Sequence, residues 1–206
     1  MKYHSFVSSL ETKLQKPLPG HAEFMKKNGY DLNKRAQPDF NRIKKSAVLI
    51  AFYPHKEDIY LPLILRPPYD GTHGGQMAFP GGRMEDFDES YERTALREAE
   101  EEIGLKALDV NIIGTLTEVY IAPSNYWVKP IIGTLDYKPS FFPDKREVAA
   151  IHQIPWSEFS IPERFQKRTI QVRGTTMVTS GFEIQGQWIW GATALMIAEL
   201  MEVLKT

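Results

Sequence analysis

The sequence contains no cysteine, which excludes a disulfide framework, a thiolate metal site and a cysteine nucleophile. We therefore expect a protein of a reducing compartment, and the predicted location is the cytoplasm. A dominant charge is also lacking, because 25 Lys and Arg stand against 26 Asp and Glu and give a formal net charge of −1. This balance does not predict binding to a nucleic-acid backbone or to an anionic membrane.

Long apolar runs are lacking too. No run reaches the roughly 20 residues of a membrane helix, and the N-terminal residues do not form the continuous apolar segment of a signal peptide. The sequence therefore predicts a soluble protein with no membrane partner. The 206 residues, 42% of them hydrophobic, are enough for one well-buried core. Because the net charge is close to zero, any phosphate binding is expected to depend on a local group of residues and not on the overall charge of the protein.

Apolar periodicity predicts two helices near the start of the chain. Phe6, Leu10 and Leu14 recur at helical spacing, and the prolines that follow predict that this helix ends near Gln15. Residues 22–28 form a second, short helical pattern that a glycine closes. We therefore expect two small helices before the first strand.

Strand patterns dominate the rest of the chain, and one helix ends it. The predicted strands are SAVLIAFY, IYLPLILRP, NIIGTLTEVYI, WVKPIIGTLDY, VAAIHQIPW, TIQVR, MVTSGFEIQ and QWIW. The last run, GATALMIAELMEVLK, has an apolar helical stripe and predicts a helix that covers one face of the sheet. The stretch PPYDGTHGGQM has too few apolar residues to pack, so it predicts a loop that serves a site.

Negative charge is concentrated in one segment, GGRMEDFDESYERTALREAEEEIGL, at residues 81–105. Residues 90–103 within it are rich in strong helix formers and lack proline and glycine. Gly104 follows at the position where a C-terminal cap is expected. The segment therefore predicts a helix that carries most of its charge in its last two turns.

Three carboxylates of this predicted helix converge. Glu98 and Glu102 are four residues apart, and Glu101 lies three residues after Glu98, so the three share one face. Glu100 points elsewhere. A hard divalent cation is the natural counterion for this face, and Mg²⁺ or Mn²⁺ is expected rather than Zn²⁺, which recruits His or Cys. The alternative is a solvated helix face, which is the usual role of a Glu-rich run.

The segment resembles the Nudix box, which consists of a glycine, a mid-segment acid and the run Arg-Glu-apolar-x-Glu-Glu-x-Gly-apolar. In that family the box forms a loop, a helix and a loop that bind divalent metal against a diphosphate. The run REAEEEIGL at residues 97–105 matches every fixed position. Counted forward from Gly82 the mid-segment acid is Asp88, and counted backward from Arg97 it is Glu89, so both acids are candidates.

A second resemblance narrows the family. Arg66 and the run HGGQMAFPGG at residues 73–82 are similar to the signature of the coenzyme A pyrophosphatases of the Nudix superfamily. The stretches PDKREVAAIHQIPWSEF and WIWGATALMIAEL are also similar to that subgroup. The resemblance therefore covers most of the chain from about Ser46 onward.

This resemblance implies an α/β (α+β) fold of the Nudix type, a mixed β-sheet sandwiched between helices. The order of the predicted elements agrees, because two strong helices flank a majority of strands. We expect the helix of the box on one side of the sheet and the C-terminal helix on the other. Residues 1–43 are then a short N-terminal helical extension, and residues 44–206 are the Nudix hydrolase domain.

The implied activity is metal-dependent hydrolysis of the diphosphate linkage of coenzyme A or acyl-coenzyme A, which gives 3',5'-ADP and 4'-phosphopantetheine or its acyl form. One alternative is a Nudix hydrolase of another nucleoside diphosphate derivative, such as ADP-ribose or a dinucleotide. A more distant one is a ligand-sensing module without turnover. The implied cofactor is Mg²⁺ or Mn²⁺, the implied partner is a small nucleotide substrate, and the chain is a candidate homodimer.

The metal ligands that the resemblance implies are Glu98, Glu101, Glu102 and the backbone of Gly82. The implied catalytic residues are Glu101, Arg97 and Glu147. Arg97 is expected to orient a neighbouring glutamate, although an i,i+4 surface pair with Glu101 accounts for the same spacing. Glu147 is a candidate for an additional metal ligand or the general base, and the competing interpretation is an ordinary exposed glutamate.

Substrate contacts are assigned to the loop before the box and to its neighbours. These residues are Arg66, His73, Gln76, Gly81 and Arg83. Arg66 suits bidentate pairing with a phosphate, and His73 and Gln76 suit hydrogen bonds with substrate oxygens. The competing interpretations are a strand-end cap for Arg66 and an ordinary loop histidine for His73. A coenzyme A pocket also needs an elongated apolar groove. The candidates for its lining are Met77, Phe79, Tyr126 and Trp127, although such residues more often belong to a core.

Overall fold

The computed structural model describes residues 2–28, 38–40, 42–68, 73–172 and 174–205. Within them lie the helices α1 (Tyr3–Leu14), α2 (Ala22–Lys27), α3 (Tyr91–Ile103) and α4 (Gly191–Lys205). The strands are β1 (Lys44–His55), β2 (Asp58–Leu65), β3 (Met77–Ala78), β4 (Gly81–Arg83), β5 (Asn111–Thr115), β6 (Val119–Ile121), β7 (Tyr126–Thr134), β8 (Ala150–Pro155), β9 (Phe165–Val172), β10 (Thr175–Ile184) and β11 (Gln187–Trp190). Gly29, residues 69–72 of the predicted loop and Arg173 lie outside the described residues. None of the helices in these ranges has both the length and the apolar composition that a membrane crossing requires.

The strands form two sheets in the described part of the chain. The larger sheet has eight strands, with β3-β2-β1-β7-β5 as its path, β4 beside β1, β6 beside β7 and β8 beside β2. β1 and β7 run parallel, and the other pairs of this sheet are antiparallel. The smaller sheet has the antiparallel order β11-β10-β9. The predicted mixed sheet is therefore confirmed.

Alternation along β1 explains why helices cover both faces of the larger sheet. Leu49 packs in one apolar cluster with Ala99 of α3. Ile50, the next residue, packs in the other cluster with Phe6 of α1 and Ile197 of α4. Successive side chains of a strand point to opposite faces, so both faces of β1 are buried. The predicted arrangement, with α3 on one side of the sheet and α4 on the other, is confirmed.

The N-terminal helices belong to the same packed structure. α1 ends where its sequence predicts, and Phe6 and Leu10 on its buried side are 2% and 0% exposed. The ring of Phe6 meets that of Phe52 of β1 edge to face, with 5.1 Å between the centroids. α1 therefore covers the same face of the sheet as α4. The division of the chain into residues 1–43 and 44–206 stays a prediction.

One predicted strand is interrupted in the structure. The run NIIGTLTEVYI forms β5 and β6, with a break at residues 116–118. The register of β5 shifts between Ile112 and Gly114, and the N–H of Thr117 donates to the Glu199 carboxylate of α4 at 3.1 Å. The prediction of one continuous strand was wrong because a tertiary hydrogen bond, which local propensity does not report, replaces the ladder at this point.

α3 carries the glutamate run, and both of its ends are capped, with Gly104 at the C-terminal position that the sequence predicts. Ser90 Oγ accepts a hydrogen bond from the Arg93 N–H at 3.2 Å. Gly104 is left-handed, with φ of 69°, and the following N–H of Leu105 donates to the carbonyl of Ala99 at 3.2 Å. The two caps fix the length and register of α3, which sets the direction of each glutamate side chain.

Candidate active site

A cavity of about 710 Å³ lies beside the glutamate run of α3. Its walls come from the strands β1, β3, β4, β6, β7, β10 and β11 and from the helices α2, α3 and α4, so residues far apart in the sequence meet there. Glu98 and Glu102 line it, and Glu147 joins them from the segment before β8. A volume in this range is typical of sites that enclose a small-molecule ligand.

Glu102 is the most deeply buried of these three carboxylates. It is 2% exposed, accepts a hydrogen bond from the Gly81 N–H at 2.8 Å and lies 4.0 Å from the Arg66 guanidinium. Burial raises the pKa of the Glu102 carboxyl to about 7, although Arg66 and the Gly81 N–H oppose the shift. The protein alone therefore compensates only part of the cost of a charge at this position.

Glu98 lies one helical turn earlier, against the backbone of Gly82. A Cβ atom on residue 82 would stand 2.5 Å from the carboxyl carbon of Glu98, so glycine is required to leave room for this carboxylate. Arg97 Nη1 lies 2.9 Å from Glu98 Oε1. Burial nevertheless raises the pKa of the Glu98 carboxyl, and the charges of Glu101 and Glu147 add to the shift.

Glu147 completes the group of carboxylates. Its side chain is exposed and lines the same cavity. Its charge raises the pKa of both Glu98 and Glu102, after the larger effect of burial on each. The three carboxylates therefore repel one another across the cavity, and a cation between them would relieve this repulsion.

The donor set suits a hard cation. No three acidic or histidine side chains in the described ranges converge closely enough to hold a metal ion by themselves. Mg²⁺ is usually bound by one or two carboxylates, and water and substrate phosphates complete its coordination. Glu102, which is buried, and Glu98, which is partly buried, repel each other, so this pair fits Mg²⁺ or Mn²⁺, with Glu147 facing the same space.

Arg97 lies at the centre of an ion-pair network. Its Nη2 and Nε donate to Asp88 at 2.8 and 3.1 Å, and its Nη1 lies 2.9 Å from Glu98 and 3.0 Å from Glu101. It therefore makes both contacts that the sequence suggested, one to a cavity carboxylate and one to its i,i+4 partner. Of the two candidate acids of the mid-segment position, the buried Asp88 meets Arg97, whereas Glu89 is exposed.

Asp88 is expected to stabilise the fold in a pH-dependent way. The hydrogen bonds of Arg97, aided by the Glu85 N–H and the Thr94 hydroxyl, lower the pKa of the Asp88 carboxyl from 3.8 to about 2. This stabilisation is present above pH 4 and is lost as the pH falls through the lowered pKa. We predict that Asp88→Asn reduces the free energy of unfolding by about 2 kcal/mol at pH 7, the usual value for bonds to a charged group.

Urea unfolding of the wild type and of Asp88→Asn at pH 7, 4 and 3 measures this difference. The difference in the free energy of unfolding between the two proteins should become smaller toward pH 3. Glu89→Gln, a change of the exposed neighbouring acid, is the matched control and should behave as the wild type. If this difference in the free energy of unfolding stayed constant with pH, the assigned pairing of Asp88 with Arg97 would be contradicted.

Glu101 is placed differently from the other two glutamates of the predicted metal-binding face. Its side chain is 60% exposed, is paired with Arg97 and is not among the residues that line the cavity. Glu100 is also exposed. The structure thus brings Glu98 and Glu102 together and leaves Glu101 and Arg97 beside the cavity. A role of Glu101 as a metal ligand or catalytic residue stays a prediction.

The predicted substrate-binding residues all line the cavity. They are Arg66, His73, Gln76, Gly81 and Arg83. Arg66 Nη2 donates to the carbonyl of Gly81 at 3.2 Å, so Gly81 connects Arg66 to Glu102 through its two backbone polar groups. His73 Nε2 lies 3.1 Å from Ser124 Oγ, which ties the glycine-rich loop to the segment after β6. Their contacts with a substrate stay predictions.

The apolar wall of the cavity was only partly predicted. Met77, Phe79 and Tyr126 line it, whereas Trp127 donates to the Glu118 carboxylate and is not part of the lining. Sequence reasoning missed the lining residues of α2, β10, β11 and α4. These are Met25, Met177, Trp190, Gly191, Ala192, Thr193, Leu195 and Met196. Met25 and Met177 lie in no motif that the sequence offered. The other six lie in the run WIWGATALMIAEL, whose resemblance to the subgroup did not indicate that it lines a site, because only the tertiary fold brings these elements to the cavity.

Comparison with known proteins identifies the family. Residues 44–170 match the NUDIX domain family, which spans more than half of the chain. The chain belongs to the Nudix hydrolase family. This Nudix hydrolase is 35% identical over 159 residues to a Yersinia pestis (strain Pestoides F) protein described as "Uncharacterized Nudix hydrolase NudL", a match that covers 77% of this chain and 79% of the relative. The same values hold for the protein of that description from Yersinia pseudotuberculosis serotype O:1b (strain IP 31758).

Solved structures of other Nudix proteins are also similar to this chain. The Nudix hydrolase RenU from M. smegmatis is 24% identical, with a TM-score of 0.48 over 57% of this chain and 73% of that one. The NUDIX domain of Shewanella oneidensis NrtR, solved in complex with ADP ribose, is 19% identical, with a TM-score of 0.46 over 68% of this chain and 87% of that one. Nudix hydrolases act on nucleoside diphosphate derivatives and generally use divalent metal ions.

Proposed function

We propose that this Nudix hydrolase cleaves the diphosphate linkage of coenzyme A or acyl-coenzyme A and releases 3',5'-ADP and 4'-phosphopantetheine or its acyl form. One observation carries the proposal: a single cavity joins the buried Glu102 and the partly buried Glu98 to an apolar wall and to His73 and Gln76 of the HGGQMAFPGG run. Coenzyme A has a diphosphate beside a long, partly apolar arm, and it needs both kinds of surface in one site.

The carboxylates are the residues that would hold the divalent ion, with the backbone of Gly82 beside them. A divalent ion held there would supply neutralisation of the charge on the phosphoryl oxygens and stabilisation of the leaving phosphate. Arg97 restricts the Glu98 carboxylate through its 2.9 Å contact and is itself held by Asp88. Each of these groups is therefore positioned before a substrate arrives.

Hydrolysis adds water across one P–O bond of the diphosphate bridge. The water oxygen bonds to phosphorus, the bridging oxygen leaves with the other phosphate, and a base accepts the proton of the water. Glu147 is our candidate for that base, because it faces the cavity from outside the helix that carries Glu98 and Glu102. Arg66, 4.0 Å from Glu102, is placed to pair with a phosphate on the same side of the cavity.

A substrate panel tests the proposed substrate, and a chelator tests the metal. We predict that kcat/KM for coenzyme A exceeds that for dephospho-coenzyme A, ADP-ribose and nucleoside triphosphates by about tenfold or more, a difference of about 1.4 kcal/mol in transition-state binding. Activity should vanish in excess EDTA and return with Mg²⁺ or Mn²⁺.

The substrate panel and the chelator test can each contradict a different part of the proposal. A preference for ADP-ribose or a dinucleotide would replace the proposed substrate with another nucleoside diphosphate derivative and leave the carboxylate site in place. Turnover that persists undiminished in EDTA would contradict the metal requirement. Binding without turnover of any compound in the panel would favour a ligand-sensing module.

A further inference from the structure

Methionine is concentrated in the wall of the cavity. The chain has seven methionines, and four of them line this one space: Met25, Met77, Met177 and Met196. Methionine is unbranched, flexible and polarisable, and it is over-used at surfaces that adapt to apolar ligands of variable shape. Four methionines on one wall therefore indicate contact with a flexible apolar group.

Met77 and Met196 pack on the opposite face of the larger sheet from the helix that carries the carboxylates. Met196 belongs to α4, which packs with the cluster on the α1 face, whereas Glu98 and Glu102 belong to α3, which packs on the other face. Met25 of α2 comes from the N-terminal segment, and Met177 comes from β10. The cavity thus extends from a carboxylate region to a methionine region.

α2 is fixed beside this region by aromatic packing. The ring of Phe24 meets that of Phe165 on β9 edge to face, with 5.6 Å between the centroids. Met25, the next residue, is 8% exposed and faces the cavity. Residues outside the matched NUDIX range 44–170 therefore form part of the wall.

A buried carboxylate anchors the start of α2. Glu199 of α4 is 1% exposed and accepts hydrogen bonds from the N–H of Gly20 and the N–H of Thr117, both at 3.1 Å. His21, which precedes α2, lies with its Nε2 3.1 Å from Glu199 Oε2. Glu199 thus joins the N-terminal segment, the break between β5 and β6, and the helix that carries Met196.

We propose that α2 is part of the substrate site, that Met25 with Met177 and Met196 contacts a flexible apolar segment of the substrate, and that Glu199 positions α2 for this contact. With the proposed function, on which this assignment of the ligand rests, the apolar segment is the acyl chain of an acyl-coenzyme A. Met25 is then a specificity-determining residue, and Glu199 is a positioning residue.

The first test compares kcat/KM for octanoyl-coenzyme A with that for coenzyme A. The ratio of the first kcat/KM to the second should be at least roughly fourfold lower in Met25→Gln than in the wild type, which is the effect expected when one methylene group loses its apolar contact. Met25→Leu keeps an apolar side chain of similar volume and should restore the ratio. Met201→Gln, a change on α4 outside the cavity lining, is the matched control and should leave the ratio at the wild-type value.

The positioning role has its own readout. Glu199→Gln should raise KM for octanoyl-coenzyme A more than KM for coenzyme A, with a smaller change in kcat. A purely structural role would lower the amount of folded enzyme and leave the two KM values in their wild-type proportion. Thermal melts of each variant report on folding.

A binding arm separates this inference from the proposed function. Octanoyl-pantetheine has no diphosphate, so its binding, measured by titration calorimetry, does not depend on hydrolysis. Octanoyl-pantetheine should bind the wild type and Met201→Gln with similar affinity. It should bind Met25→Gln more weakly. Failure of every coenzyme A compound to react would overturn the proposed function alone. Equal binding of octanoyl-pantetheine to the wild type and Met25→Gln would overturn the inference.

Discussion

Replacing Glu98 or Glu102 with glutamine is expected to lower kcat by about 100-fold to 1,000-fold at saturating Mg²⁺. Each change removes a charged oxygen from the pair of cavity carboxylates that is proposed to hold the ion. Glutamine keeps the size of the side chain, so the cavity keeps its shape. The loss is therefore electrostatic and should appear in kcat as well as in metal affinity.

The fold should survive both changes. Burial raises the pKa of Glu102 to about 7, above its ordinary value of 4.5, so ionisation of Glu102 destabilises the folded state as the pH rises between these values. Glutamine has no charge to bury and can still accept the Gly81 N–H. Melting temperatures of Glu102→Gln in metal-free buffer at pH 8 should equal or exceed that of the wild type.

Glu100→Gln is the matched control, because Glu100 lies on the same helix and is exposed. Its kcat should stay within about twofold of the wild type, as expected of a surface substitution. Purified variants are compared at one saturating concentration of coenzyme A, with melts as the folding control. A near wild-type rate for Glu98→Gln, or a loss in Glu100→Gln as large as in Glu102→Gln, would show that the metal-binding face is wrongly assigned.

Two adjacent glycines should respond to alanine in opposite ways. A Cβ atom on residue 82 meets the Glu98 carboxyl at 2.5 Å, and that carboxyl is the end of a flexible side chain. Gly82→Ala should therefore displace the carboxylate, fold normally and lose about 100-fold in kcat, the usual effect of a misplaced active-site group. A Cβ atom on residue 81 would meet the backbone oxygen of Ala47 at 2.3 Å. Unlike the Glu98 side chain, this backbone of β1 cannot move without disturbing the sheet.

Gly81→Ala should therefore lose about 3 kcal/mol of folding stability, because the φ of +155° disfavours a side chain and the β4–β1 pairing must separate. Urea unfolding and kcat, measured on both variants, separate the two effects. Equal stability losses in the two variants would contradict the distinct roles of these glycines, as would a fully active Gly82→Ala.

The sequence was sufficient where structure depends on neighbours along the chain. α3 could be predicted from its helix formers and Gly104, and its register then placed Glu98 and Glu102 on one face. The direction of Glu101 could not be derived in the same way. Periodicity places Glu101 near the face of Glu98, and the i,i+4 spacing allows its pair with Arg97. Its exposure outside the cavity depends on how other elements pack against α3, which no local pattern reports.

Contacts between distant segments were not predictable. Thr117 breaks a strand because Glu199, 82 residues later, accepts its N–H. Met25 lines the cavity because α2 packs beside α4 and β9, and no short motif reports that packing. Likewise, the spacing of the box left Asp88 and Glu89 open, and only the structure shows Asp88 buried against Arg97.

We propose that Glu98 and Glu102 hold the divalent ion of this Nudix hydrolase. Binding of Mn²⁺, followed by electron paramagnetic resonance in the absence of substrate, tests it most directly. Mn²⁺ should bind the wild type and Glu100→Gln with similar affinity, and the binding should weaken at least about tenfold in both Glu98→Gln and Glu102→Gln, as expected when a metal ligand is lost. Wild-type Mn²⁺ affinity in both of the latter variants would contradict the claim.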